Sequence, residues 1–239
     1  MRRCMECDAV KNRKVQRFLP LLAGVFLLAA PFARADEKTP VPKAVAVQVQ
    51  VDTSEVPDLE PWGAKAKTLV EKWHPIIADM LKTDGFTPPS EVKIVFKKEM
   101  KGVAFTSGNV ITIAADWVKK QPDDFGMVVH ELTHVIQSYP RTKRNEGWLV
   151  EGIADYVRFY KYEPNTKLGP VINPDATYRL GYRAAARFLA WIEKTHDKEI
   201  VSKLNQALRK SEYKDKLFKD ATGMSLDDLW AEFLKSEKK

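Results

Sequence analysis

The residues with the clearest chemical potential are His130-Glu131-Leu132-Thr133-His134. On a helix, positions i and i+4 lie about 40° apart around the axis, so both imidazoles leave one face a turn apart and can grip one cation. Glu131 stands beside them, where its carboxylate can take a proton from a metal-bound water. A catalytic zinc site needs a third protein ligand and an open position. Residues 146–162 offer one: Glu151 and Asp155 stand four apart, off the apolar side formed by Trp148, Leu149, Ile153, Tyr156, Val157 and Tyr160. We read Glu151 as the third ligand. Asp155 is then the carboxylate that accepts an imidazole N–H, as metal-bound histidines usually require. Asp155 or Glu146 would be the ligand if Glu151 were not. Gly152 is expected to let the two helices approach closely.

These side chains need real helices behind them. Phe125, Val128, Val129, Leu132, Val135 and Ile136 form a helical stripe with the histidines at its margin, so a helix is expected over 122–138, with Asp123 and Asp124 in its first turn. Further helices are expected over 146–162, 176–195, 198–210 and 225–236, the last with Ser225 and Asp228 spaced like a capping box. Upstream, residues 44–51 alternate as a half-buried strand, and 91–97 and 110–114 are short β-branched strands separated by the glycine-punctuated stretch 102–109. Between them, residues 58–82 have helical spacing that Pro75 should kink or break, with His74 on a helix surface or cap. Strands first and helices later predict an α+β fold, one small sheet against a helical body.

The chain has 239 residues and a formal charge of +7. Basic residues through Arg17, an apolar run from Phe18 to Ala30 and the triplet Ala33-Arg34-Ala35 follow the order of a cleavable export signal. The run is too short for a spanning helix, which takes roughly 20 residues. Residues 1–35 are therefore read as a signal peptide, 36–43 as a flexible mature N-terminus and 44–239 as one domain. The product would be periplasmic or extracellular, with no stable membrane association after cleavage. Removing the leader takes away seven of 39 basic residues, two of 32 acidic ones and both cysteines, Cys4 and Cys7, leaving +2. That removes the main argument for a nucleic-acid partner, and the lysine-rich stretch 203–219, which also holds Glu212 and Asp215, reads as a solvated helix face.

The runs His130–Gln137, Leu149–Arg158 and Gly181-Tyr182 leading to Ala186–Leu189, with Gly102–Asn109 before them, resemble the basic secretory protein family of plants and bacteria. The resemblance implies a zincin-like fold and a secreted zinc metallopeptidase. Zn2+ would be held by His130, His134 and Glu151, with Glu131 as general base and a peptide or protein as substrate. It also points to Tyr182, in the family's Gly-Tyr element, as the second donor to the oxyanion, with Tyr178 in reserve. The strand at 110–114 is expected to be the sheet edge above the active-site helix that pairs with substrate, with Phe105, Trp117 and Tyr139 as wall residues. The rival expectation is a non-catalytic secreted binding protein for carbohydrate or protein ligands. Glu131 argues against it, because a pure binder has no use for a carboxylate there.

Overall fold

The computed structural model describes residues 46–140, 146–169 and 177–237. The expected leader (1–35), the mature N-terminus (36–43) and the first residues of the expected strand at 44–51 lie outside the described residues. The fold is α+β: a small mixed four-stranded sheet and a larger set of helices. Strands β1 (Gln48–Asp52), β2 (Glu91–Lys97), β3 (Ala104–Ser107) and β4 (Val110–Ala114) are arranged in the order β1-β2-β4-β3. The first three neighbours run parallel, while β3 returns antiparallel on β4. β2 alternates as its sequence does, with Val92, Ile94 and Phe96 buried.

β4 is therefore not the edge expected from the sequence, because it is hydrogen-bonded on both sides. The edge on that side is β3, a strand hidden in the 102–109 stretch, and β1 is the opposite edge. Ser107 pairs with Val110, so Gly108 and Asn109 make a two-residue hairpin, and Gly108 takes the positive φ of +60° that such turns demand.

Helix α1 (Glu60–Met80) runs unbroken through Pro75. Pro75 and Glu71, whose carbonyl loses its i+4 donor, are both exposed, so water can take the place of the missing bond. Trp62, Ala66, Val70, His74 and Ile77 form the buried stripe of α1. His74 is thus inside rather than on the surface. Its Nε2 lies 2.7 Å from the Pro89 carbonyl, and burial lowers its pKa.

The helix carrying the histidines, α3 (Gly126–Gln137), begins later than expected because the preceding loop is tied down. Trp62 Nε1 donates to the Pro122 carbonyl and its ring stacks on Phe125. Asp124 accepts from Trp117 Nε1, from the Met127 backbone N–H and from Arg158 Nη2. Trp117 belongs to a short unforeseen helix, α2 (Ala115–Lys120).

The expected helix at 146–162 divides into α4 (Gly147–Tyr156) and a π-helical segment (Val157–Tyr162), which closes with Glu163 N–H donating to the Arg158 carbonyl. Gly152 serves a different contact from the one expected. A Cβ there would meet Ala185 Cβ at 2.6 Å, so it admits α5 (Tyr182–Thr195), not α3. The expected helix at 176–195 starts outside the described residues; within them, a 3-10 turn (Tyr178–Leu180) and Gly181 precede α5. α6 (Ile200–Arg209), the unforeseen α7 (Lys216–Thr222) and α8 (Leu226–Ser236) complete the body. Ser225 Oγ caps α8 by accepting from Asp228 N–H. Phe188, Phe218, Trp230 and Phe233 pack these helices together. Among the described residues no helix is long and apolar enough to cross a membrane.

Candidate metal centre

Burial of Val128, Val129, Leu132, Val135 and Ile136 fixes the roll of α3 and turns His130, Glu131 and His134 toward a cleft of about 1230 Å3. α4 packs against α3 and brings Glu151 and Asp155 to the same place. One donor atom from each of His130, His134 and Glu151 lies within 4.8 Å of the others. The two Nε2 atoms are 3.1 Å apart, and Glu151 Oε2 is 3.3 Å from the first and 3.4 Å from the second. Glu146 is buried but is not among the converging donors.

The outer nitrogen of each imidazole is also fixed. His130 Nδ1–H donates to Asp155 Oδ1 at 2.7 Å, in the position expected of Asp155. His134 Nδ1–H donates to Gln137 Oε1 at 2.7 Å. The amide of Gln137 cannot turn, because its Nε2 donates to the Val150 carbonyl. With the protons held on Nδ1, both Nε2 lone pairs and a carboxylate oxygen face one another. Three acceptors at that separation repel unless a cation sits among them.

The protonation tendencies express the same demand. Burial alone would lower the pKa of His130, but the hydrogen bonds of Asp155 and Glu151 prevail and raise it to about 9. Burial would raise the pKa of Glu151, yet His130 and His134 bring it down to about 2. Two imidazoles and a carboxylate are a donor set suited to Zn2+, so these residues fit that ion.

Glu131 is held from the sheet edge: Thr106 Oγ1 lies 2.7 Å from Glu131 Oε2 and 3.0 Å from its backbone carbonyl. Tyr182 opens α5 beside the cluster, its ring parallel to that of His130 at 6.3 Å between centroids. It has a φ of +48° after Gly181, whose own φ is +69°. A Cβ on Gly181 would sit 3.4 Å from Trp148 Cα and 3.6 Å from Glu151 Cβ, so the chain turns tightly against α4 at Glu151. The charge of Glu151, then burial, raise the pKa of Tyr182 and keep its phenol a donor. Tyr178, the reserve candidate, is not at the cleft. It is buried against Trp148, Phe188 and Trp230, its hydroxyl donating to Asp227. Phe105, Trp117 and Tyr139 all line the cleft.

Sequence reasoning missed Gln137, Thr106 and the Gly181 turn. Gln137 lies at i+3 from His134, a spacing that faces it on a helix. Thr106 would have followed from reading Gly108-Asn109 as a hairpin turn.

No curated protein matches the chain. A family model described as BSP, peptidase of plants and bacteria, matches residues 61–233, from α1 into α8 and across every residue of the histidine and carboxylate cluster. The match covers well over half of the sequence, and the chain belongs to that peptidase family.

Proposed function

We propose that the protein is a secreted, zinc-dependent, zincin-like metallopeptidase, exported on residues 1–35 and folded as a single domain over 44–239. The observation that carries the reading is the convergence of His130, His134 and Glu151, with the outer nitrogen of each histidine already tied. When bound there, zinc would polarise the scissile carbonyl and lower the pKa of a water. Glu131, held by Thr106, is the general base that takes that water's proton and passes it to the leaving amine. Asp155 and Gln137 keep the imidazoles in the tautomer that offers Nε2 inward. Tyr182 donates to the oxyanion. The exposed edge of β3, which supplies Thr106, aligns an extended substrate by adding a strand to the sheet.

The test is metal analysis of the purified protein beside digestion of a peptide library with and without a chelator. The expected result is about one zinc per chain and cleavage that the chelator abolishes and added zinc restores. Bound zinc without any cleavage would favour the non-catalytic binding protein instead.

A further inference from the structure

One wall of the cleft carries a cation that the chemistry above does not use. The ring of Phe159, 4% exposed, supports two guanidinium groups: Arg158 with its carbon 4.7 Å from the ring centroid, and Arg183 at 5.2 Å. All three residues line the cleft. Their charges are treated differently. Arg158 is neutralised by Asp124 at 2.6 Å and Glu163 at 3.4 Å. Arg183 is exposed and, among the described residues, its guanidinium has no hydrogen bond or ion pair.

The carboxylates around the cluster are committed elsewhere: Asp155 to His130, Glu151 to both histidines, Glu131 to Thr106. Arg183 also occupies the second residue of α5, where the helix dipole disfavours a cation. It therefore gains nothing from its own helix. The guanidinium of Arg183 lies over the Phe159 ring and, among the described residues, meets no carboxylate, so its N–H donors are available to one.

We infer that Arg183, propped on Phe159, is a specificity-determining residue that binds a carboxylate of the substrate peptide. The carboxylate is either an acidic side chain or the free C-terminus. The inference rests on the peptidase reading and names the substrate feature which that site selects.

The test uses matched peptides: Glu against Gln at each position of an end-blocked peptide, and a free against an amidated C-terminus. The kcat/KM of the zinc-loaded protein should favour the carboxylate in one of the two series by roughly ten- to a hundredfold, and the series that responds identifies the source. Arg183→Gln should bring that ratio close to one, while Arg183→Lys keeps part of it. Cleavage by the unaltered protein with no preference in either series overturns the inference and leaves the peptidase reading standing. Binding of the same pairs to Glu131→Gln is measured by calorimetry. Carboxylate-dependent binding that Arg183→Gln removes, with no cleavage by the unaltered protein, would support the subsite and defeat the peptidase reading. Equal binding of acid and amide, like no binding of either, overturns the inference.

Discussion

Asp155→Asn is the most exacting test of how the proposed zinc site is held. Asp155 is 5% exposed and its Oδ1 lies 2.7 Å from Nδ1 of His130, itself 8% exposed. Asparagine fills the same space, so packing should survive and the change falls on charge and tautomer. A hydrogen bond to a charged group contributes about 1.5–3 kcal/mol and a neutral one about 0.5–1.5. The expected loss is then about 1–1.5 kcal/mol, or roughly tenfold in affinity. The amide can also turn and donate to Nδ1, which sends the imidazole proton to Nε2, where the metal should bind. That second effect carries the loss toward the hundredfold end of the range known for partners of metal-bound histidines. Competition for zinc against a chromogenic chelator at pH 7 reads the constant directly, and circular dichroism checks the fold. A correctly folded Asp155→Asn protein that binds zinc within about twofold of the parent would refute the claim that Asp155 sets the tautomer of His130.

Glu131→Gln should keep zinc content and melting temperature while lowering turnover by about 10²- to 10⁴-fold; a steady-state assay showing unchanged kcat removes Glu131 from its role. Tyr182→Phe should reduce kcat by about 10²- to 10³-fold, with zinc affinity preserved. Gly152→Val pushes a branched side chain into the 2.6 Å gap to Ala185, and overpacking of about 3 kcal/mol should lower Tm by about 6–12 °C in a domain of this size. Calorimetry showing an unchanged Tm would mean that α4 and α5 do not fit as tightly as described. For chelated protein the sign of the pH effect follows from two shifts. His130, raised to about 9, stabilises fully below its ordinary value of 6.5 and loses this as pH climbs to 9; Glu151, lowered to about 2, stabilises fully above 4.5 and loses this as pH falls to 2. The Tm advantage of chelated parent over chelated His130→Gln should therefore be largest between pH 4.5 and 6.5 and smaller at pH 9, and an advantage that grows from pH 6.5 to 9 contradicts the assignment.

What the sequence made legible was what one helix or one strand decides for itself. The stripe Val128, Val129, Leu132, Val135, Ile136 is a property of α3 alone, and it sets where His130 and His134 face. Likewise β2 and β4 span the residues their alternation and branching predict. What escaped depends on neighbours distant in sequence. Gly152 reads the same whether α3 or α5 passes over it, and only the packing shows that Ala185 is the neighbour. Tyr178 and Tyr182 both surround Gly181 in the chain, yet the reversal at Gly181 sends one toward Asp227 in the helical body and the other toward His130. β3 was missed because strand patterning in four residues is weak and its flanking glycines read as loop. That omission mattered most for function. A β4 edge would have put the substrate groove next to the parallel core of the sheet, whereas the β3 edge carries Thr106, whose hydroxyl meets the carboxylate of Glu131. The strand that would align the peptide therefore also holds the proposed base, and any displacement of β3 on binding would be felt at Glu131 through the Thr106 hydroxyl, 2.7 Å from its carboxylate and 3.0 Å from its backbone carbonyl.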